Sequence, residues 1–114
     1  AGLLAAGCQS ASYLGRFVVV VDEDVDPSDL FDVMWAMCTR CDPASDIEFV
    51  RRAWSGPLDP LLDKSSSTNS RAIIDAGRPF ERLKDFPMVA RASPELRQKV
   101  QEKFADLLGK IGCT

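Results

Sequence analysis

The sequence predicts a layered α/β domain in which a small, mainly parallel sheet is flanked by helices and followed by a long carboxy-terminal helix. A run of four valines between Phe17 and Asp22 indicates a strand buried on both faces, as strands of parallel sheets are. Helical segments alternate with three strand segments, an order typical of right-handed α/β crossovers. The chain has 114 residues, of which 46% are hydrophobic, and is long enough for one domain with a single core.

The first half of the chain predicts two helices and one strand. Residues 2–14 are rich in Ala and Leu and predict a helix, and residues 17–21 predict the first strand. Asp26 is the expected cap of the second helix, because Pro27 fits its first turn and Asp29 interacts favourably with its dipole. Helical spacing predicts that this helix contacts the sheet through six side chains: Leu30, Val33, Met34, Met37, Cys38 and Cys41.

The second half predicts two further strands, a long loop between them and the terminal helix. Residues 47–51 and 71–76 predict the strands, whereas residues 53–69 contain glycine, prolines and the tract Ser-Ser-Ser-Thr-Asn. A loop of this length in a small domain is usually functional or mobile. Ser93 caps and Pro94 opens the last helix. The sequence leaves open whether the helix packs on the sheet or on a neighbour through its apolar side, formed by Leu96, Val100, Phe104, Leu107, Leu108 and Ile111.

The composition excludes several classes of site. The chain has no histidine, which excludes Ser-His-Asp and Cys-His nucleophiles and all histidine-containing zinc sites within it. No apolar run approaches the roughly 20 residues that a membrane helix requires, so we expect no membrane association. The spacing of the four cysteines favours reduced thiols and a cytoplasmic location; they are Cys8, Cys38, Cys41 and Cys113.

Charge is distributed unevenly along the chain. Residues 17–60 carry ten acidic and three basic side chains, a net of −7, whereas residues 61–114 carry seven acidic and ten basic ones, a net of +3. A nucleic-acid-binding protein requires a basic stripe, which the sequence does not show. The pattern therefore favours a protein surface or a self-associating interface, and we expect no nucleic-acid partner.

An acidic cluster follows the first strand, where open α/β sheets bind ligands; it consists of Asp22, Glu23, Asp24 and Asp26. A calcium loop is excluded because Pro27 occupies the position of its glycine and Val33 that of its bidentate acid. A dinucleotide site is excluded because the G-x-G-x-x-G turn is missing. We therefore interpret the cluster as helix-capping and solvated.

Two pairs of residues have both a structural and a functional interpretation. Cys38 and Cys41 form a C-x-x-C pair, which is the spacing of redox and zinc sites. They lie on the predicted apolar face near the end of a helix, which favours burial over reactivity. Trp35 and Trp54 fit either a core or a protein interface, and the loop position of Trp54 favours an interface.

Four short motifs occur along the chain. Asp-Glu-Asp-Val-Asp-Pro (22–27) ends the first strand, and Trp-Ala-x-x-Thr-Arg-x-Asp-Pro (35–43) ends the second helix. Pro-Leu-Asp-Pro (57–60) lies in the long loop, and Ile-Asp-Ala-x-x-Pro (74–79) ends the third strand. In this order they resemble the carboxy-terminal domain of the UbiD-like decarboxylases, which use a prenylated flavin mononucleotide. The resemblance spans nearly the whole chain and is closest to enzymes that act on hydroxylated benzoic acids.

This resemblance implies that residues 1–114 are a single carboxy-terminal domain of a larger decarboxylase of aromatic acids such as hydroxybenzoates. In that family, upstream domains bind the prenylated flavin and a divalent metal and carry a Glu-Arg-Glu catalytic set. Those domains are absent from this chain, so we assign it no catalytic residue and expect it to be inactive, without cofactor or metal, on its own. Its expected roles are closing over the active site and forming a dimer or higher oligomer.

The resemblance also implies one substrate-contacting residue. Similar enzymes place a leucine of the Pro-Leu-Asp-Pro loop against substrate and flavin, and here it is Leu58, in a lid formed with Pro57, Asp59 and Pro60. An apolar lid excludes water and strengthens electrostatic interactions inside a site. Some relatives contact the cofactor phosphate through a lysine before the valine strand. Residues 8–10 of this chain are Cys-Gln-Ser, so its cofactor-binding residues stay unassigned.

Two alternatives to a decarboxylase domain remain. One is a stand-alone α/β interaction module whose acidic front half and basic back half pair with partners. The other is a small redox or metal protein that uses Cys38 and Cys41. Because the chain starts at Ala1 inside a predicted helix, we expect it to derive from a longer protein, which favours the decarboxylase.

Overall fold

A three-stranded mixed sheet forms the centre of the fold. A computed structural model describes residues 1–8 and 15–112. Its elements, in chain order, are α1 (Gly2–Gly7), β1 (Phe17–Val21), α2 (Leu30–Arg40), β2 (Ile47–Trp54), β3 (Thr68–Ala76), a 3₁₀ turn (Phe80–Arg82), α3 (Pro94–Lys103) and α4 (Ala105–Lys110). The layered α/β class is confirmed. The part of the first predicted helix that covers residues 9–14 lies outside the described residues.

The sheet has the strand order β1-β3-β2 and is mixed rather than mainly parallel. β1 pairs with β3 in parallel, from Phe17 opposite Ala72 to Val21 opposite Ala76. β2 pairs with β3 in antiparallel, with an irregularity between Val50 and Ala53. No helix separates β2 from β3, and strands joined by a loop alone pair in the antiparallel sense.

The buried strand is β3, not the valine strand β1. Four consecutive residues of β3, from Arg71 to Ile74, are buried. The valines of β1 are only half-buried, and Phe17 is 68% exposed. β3 lies between two partners, whereas β1 has a neighbour on one side in the described sheet, and this position in the sheet explains the difference.

The core lies where α2 crosses the sheet. Ala36 of α2 and Ala76 of β3 are both completely buried, and Val25 lies with them. Side chains that end at Cβ allow the helix backbone to approach the strand closely. Around this contact pack six partly buried side chains, Val19, Val21, Val33, Trp35, Met37 and Cys41.

The predicted face of α2 is half right. Val33, Met37 and Cys41 face the core, but Leu30, Met34 and Cys38 are exposed. The buried face includes Ala36 and Arg40, which an apolar-only pattern overlooks, so the helix is rotated from the predicted orientation. A second apolar stripe therefore faces outward.

Helix α2 begins later than the sequence predicted. Its N-cap is Asp29, whose Oδ1 accepts a hydrogen bond from the Phe31 backbone N–H at 2.9 Å. Asp26, the predicted cap, instead closes the preceding turn by accepting from the N–H and Oγ of Ser28. Aspartates at both positions satisfy local donors, and the one adjacent to the first helical residue caps the helix.

The long terminal helix that the sequence predicted is two helices. Ser93 caps α3 as predicted, with its Oγ accepting from the Leu96 N–H at 3.2 Å. The backbone then leaves the helical region at Phe104, which separates α3 from α4. The apolar side remains exposed at Leu96, Val100, Phe104, Leu107 and Ile111.

The two terminal helices extend away from the sheet. The radius of gyration is 19.3 Å, against about 13 Å for a compact domain of this length. Every residue from 91 to 107 is exposed. In residues 1–8 and 15–112 no helix is both long and apolar enough to cross a membrane.

The contact between α2 and the sheet predicts a sharp size limit at position 36. Ala36→Leu adds volume where Ala76 leaves none, and we expect it to lower the free energy of unfolding by about 1–3 kcal/mol. Urea denaturation followed by tryptophan fluorescence measures this change. Cys38→Leu, two residues away on an exposed position, is the control and should have little effect. Equal losses for both variants would contradict the described orientation of α2.

Candidate functional site

The loop between β2 and β3 presents an apolar tip on a buried base. Both strands are longer than predicted, so the loop covers residues 55–67. Ser55, Gly56 and Asp59 are buried at its base. Leu58 is 80% exposed at its tip, and Pro57 and Pro60 beside it are also exposed. The arrangement holds Leu58 outward from an anchored segment, and Leu61 of the same loop is also exposed.

Asp59 is the anchor of this loop. Its Oδ1 accepts from Arg16 Nη2 at 2.5 Å and from the Leu61 backbone N–H at 2.9 Å. Its Oδ2 accepts from Asn69 Nδ2 at 2.9 Å. The hydrogen bond from Asn69 is the main cause of a lowered pKa of Asp59, followed by those from Leu61 and Arg16. The carboxylate therefore stays ionised and serves as an acceptor only.

A second set of hydrogen bonds supports Asn69 from behind. Asn69 Oδ1 accepts from Arg71 Nε at 3.2 Å. Arg71 is 2% exposed, and its two terminal nitrogens donate to the backbone carbonyls of Trp54 in β2 and Ala6 in α1. The loop anchor is thereby connected to two strands and a helix.

The serine tract of the loop is hydrogen-bonded rather than featureless. Asp63 Oδ1 accepts from the backbone N–H and the Oγ of Ser65. The Asp63 backbone N–H donates to the carbonyl of Thr68, the first residue of β3, in an isolated antiparallel bridge. Ser67 closes the turn with a positive φ of 53°. These bonds hold the end of the loop opposite Leu58.

The acidic cluster after β1 is paired with arginines. Arg40 grips Asp24 with both terminal nitrogens, at 2.9 and 2.7 Å, and reaches Asp22 at 3.4 Å. Arg78 donates to Asp22 Oδ2 from its backbone N–H and from Nε, each at 2.9 Å. Of the predicted capping and solvated cluster, Asp26 satisfies local donors in its turn, but Asp22 and Asp24 form ion pairs instead of being merely solvated.

These ion pairs shift the acid–base properties of the cluster. The fork from Arg40 lowers the pKa of Asp24 to about 2 and, in return, raises that of Arg40. The Arg78 backbone N–H is the main cause of a lowered pKa of Asp22. Within the described ranges, no group of three or more Cys, Asp or Glu side chains is arranged to hold a metal ion. Carboxylates already bound to arginines are poor ligands for a further cation.

Trp35 is half-buried beside two guanidinium groups. The guanidinium Cζ atoms of Arg40 and Arg91 lie 5.0 and 5.7 Å, respectively, from its ring centroid. Arg91 also pairs with Asp32 at 2.9 Å. Trp35 thus attaches the segment before α3 to helix α2, an intermediate between the core and interface roles that the sequence allowed. Trp54, which the loop position assigned to an interface, is exposed.

Cys41 of the C-x-x-C pair does not have the environment of a reactive thiol. Cys38 is exposed, contrary to the prediction of burial, and Cys41 is half-buried. Burial raises the pKa of Cys41, and the nearby carboxylates of Asp46, Asp42 and Asp75 raise it further. A redox nucleophile needs the opposite shift. Cys113 lies outside the described residues.

The sequence motifs include the loop tip but not the residues that anchor it. Arg16, Asn69 and Arg71 carried no motif, and two of them bind partners far along the chain: Arg16 reaches Asp59 across 43 residues and Arg71 reaches Ala6 across 65. One signal was present, because Arg71 opens the apolar run Ala-Ile-Ile. A charge in a buried strand requires partners, and that requirement marks it as a network residue.

The sequence comparisons point to one group of enzymes. A family model described as the 3-octaprenyl-4-hydroxybenzoate carboxy-lyase C-terminal domain matches residues 1–76. A phenolic acid decarboxylase of Sedimentibacter hydroxybenzoicus is 41% identical over 64 residues, which are 56% of this chain and 13% of the relative. A phenolic acid decarboxylase of Bacillus subtilis is 34% identical over 96 residues, 83% of this chain and 20% of the relative. The chain therefore spans a minor part of each relative.

Solved structures agree with these matches. The vanillic acid decarboxylase of S. hydroxybenzoicus in open form superposes with a TM-score of 0.67 and 28% identity, over 94% of this chain and 23% of that one. Its closed form superposes with a TM-score of 0.59 and 33% identity, over 82% of this chain and 20% of that one. A UbiD-class enzyme of Pelotomaculum thermopropionicum, solved with FMN, superposes with a TM-score of 0.64 and 30% identity. The match covers 78% of this chain and 19% of that one.

The pairing of Asp24 with Arg40 predicts an acid-dependent loss of stability. A carboxyl whose folded-state pKa is lowered from 3.8 to about 2 stabilises the fold above pH 3.8, and this contribution disappears as the pH falls toward 2. Asp24→Asn has no titrating group, so its urea midpoint should fall less steeply across that interval than that of the native chain. Glu23→Gln, at the exposed neighbouring position, is the control. An unchanged slope in Asp24→Asn would contradict the ion pair.

Proposed function

The chain belongs to the 3-octaprenyl-4-hydroxybenzoate carboxy-lyase (UbiD) C-terminal domain family, and from this premise we propose that residues 1–114 form one carboxy-terminal domain of a larger decarboxylase. That enzyme would release carbon dioxide from an aromatic acid such as a hydroxybenzoate. Relatives named phenolic acid and vanillic acid decarboxylases support this substrate class. The free cysteines among the described residues fit a cytoplasmic enzyme.

The cofactor of the proposed enzyme belongs to domains outside this chain. The acidic side chains best placed for a ligand, Asp22 and Asp24, are already paired with Arg40 and Arg78, and no described group fits a metal. We therefore assign a prenylated flavin mononucleotide and a divalent metal to the upstream domains, where the flavin would act as the electron sink. The complex of the related P. thermopropionicum enzyme with FMN supports a flavin.

The contribution of this chain to the reaction is a lid, and the exposed Leu58 on an anchored loop is the observation that carries this proposal. Leu58 has no group that transfers a proton, so its effect is steric. Placed over a flat aromatic acid, it would exclude water and leave the ring little room to tilt. Pro57 and Pro60 restrict the backbone on either side of the tip. The open and closed forms of the S. hydroxybenzoicus enzyme support a domain that moves relative to the active site.

The second proposed role is assembly through the terminal helices. Leu96, Val100, Phe104, Leu107 and Ile111 recur at helical spacing and are all exposed. Large exposed apolar patches are uncommon on monomers and mark contact surfaces. We expect the stripe to pack against another subunit of a dimer or higher oligomer of the full-length enzyme.

A stand-alone interaction module is the competing proposal, because the same exposed stripe would serve a different protein equally well. The two differ in what the domain is attached to. In the decarboxylase, substitutions at the loop tip change catalysis, whereas in an interaction module they change nothing that depends on an aromatic acid.

Leu58→Ala in the full-length enzyme tests the lid. Removing most of the apolar tip should lower kcat/KM for the preferred hydroxybenzoate roughly tenfold or more, or extend the accepted substrates to bulkier rings. The change leaves the anchor intact, so the melting temperature should stay near that of the native enzyme. Steady-state kinetics across several hydroxybenzoates measure both effects.

The control is Leu61→Ala, which removes the same atoms from another exposed position of the same loop. It should leave kinetics unchanged. Native rates and an unchanged substrate profile for Leu58→Ala would refute the lid, as would an equal loss for both variants.

Leu107→Asp tests the assembly surface. A carboxylate in the middle of the apolar stripe would be buried without a partner in any interface that uses it, so the oligomer should dissociate. Light scattering of the full-length enzyme measures the mass. Gln101→Asp, on the exposed polar side of α3, should leave the oligomer intact. A native mass for Leu107→Asp would exclude the stripe from the interface.

A further inference from the structure

We propose that Asp59 and Asn69 are positioning residues that fix the place of Leu58 over the substrate, an inference that rests on the lid function proposed above. Neither side chain is expected to touch the substrate. They determine where the backbone of residue 58 lies. They do so through hydrogen bonds in which each donor faces an acceptor, and only one assignment of donors and acceptors is possible.

Adjacent residues of the loop differ sharply in burial. The side chain of Asp59 is 3% exposed, whereas Leu58, directly before it, is 80% exposed. Consecutive Cα atoms are about 3.8 Å apart, so whatever holds residue 59 also limits the position of residue 58. A fixed Asp59 therefore acts on Leu58 through the backbone.

The carboxylate of Asp59 accepts hydrogen bonds from three donors in different parts of the chain. Arg16 precedes β1, Leu61 belongs to the loop itself, and Asn69 belongs to β3. Three bonds from three parts of the chain fix Asp59 more strictly than a cap within one turn would. Both carboxylate oxygens act as acceptors, which an amide at position 59 could not reproduce.

The side-chain amide of Asn69 has only one consistent orientation. Its Oδ1 faces Arg71 Nε, which can only donate, so its Nδ2 must face Asp59. Arg71 is in turn fixed by the carbonyls of Trp54 and Ala6. The series from the buried arginine to the loop alternates donor and acceptor without an exception.

The geometry makes this series relevant to catalysis as well as to stability. A steric lid works only at the correct distance, and a displacement of about 1 Å at a reacting site costs up to about 100-fold in rate. The tip itself is exposed, and Pro57 restricts its own φ but forms no contact with the base of the loop among the described hydrogen bonds. Asp59 is the nearest buried residue that determines where the tip lies.

The test exchanges the polarity of the pair in the full-length enzyme. Asp59→Asn places an NH₂ group against either the Asn69 amide or the donors from Arg16 and Leu61. Asn69→Asp places two carboxylates face to face. The double variant Asp59→Asn/Asn69→Asp restores the alternation, because the amide now at position 59 donates to the carboxylate now at position 69, which still accepts from Arg71. The net charge of the double variant equals that of the native enzyme.

We expect each single variant to lower kcat/KM about tenfold or more, mainly through kcat, and the double variant to return to within about threefold of the native value. The absorbance of the bound flavin should stay native throughout, because the cofactor belongs to other domains. The matched control is Asp85→Asn, which makes the same change at an exposed carboxylate outside the loop. It should leave kcat/KM unchanged.

The outcomes separate this inference from the lid proposal. If Leu58→Ala has no effect, the lid proposal itself fails. If Leu58→Ala lowers activity but both single variants are native in rate, or the double variant is folded and does not recover, the positioning role is overturned. Melting temperatures are measured in parallel. If a single variant does not fold, the folded double variant decides, because recovery of kcat/KM supports the pair and a persistent loss refutes it.

Discussion

The burial of β3 is the constraint on which the rest of the structure depends. This strand pairs with both other strands, and its Ala76 receives helix α2 at Ala36. Because both faces and both edges are covered, a charged side chain in it must find its partners inside the protein. Arg71 does so by binding carbonyls of β2 and α1, and it orients Asn69 toward the loop. The position of the loop tip thus follows from the interior of the sheet.

Two groups of arginines connect different parts of the domain. Arg71 and Arg16 serve the loop between β2 and β3, whereas Arg40, Arg78 and Arg91 hold the segments that follow β1 and precede α3. Ion pairs of this kind contribute little net stability when exposed, but breaking one that is buried is costly. Their value here is geometric, since the pairs of Arg16, Arg40 and Arg91 join parts of the chain that no strand ladder connects.

Local chemistry was enough to predict the strands, the second helix, the long loop between β2 and β3 and the cap at Ser93. Each of these depends on neighbours within a few residues. The sequence did not predict that β3 rather than β1 is buried, because that depends on strand order, which local pattern does not encode. Arg40 and Arg71 were overlooked because their partners lie far away in sequence. The break at Phe104 also has no glycine or proline to announce it.

The strand order also determines the order in which the domain can assemble. β2 and β3 are joined by a 13-residue loop, 55–67, whereas β1 must wait for a partner that begins 47 residues after it ends, at Thr68. Closing the shorter loop costs less chain entropy, so we expect the antiparallel pair to form first and the valine strand to dock on it later. Pulse-labelling hydrogen exchange would show earlier protection in β2 than in β1. The hydrogen bonds within the β2–β3 loop would then form before Arg16, which directly precedes β1, reaches Asp59.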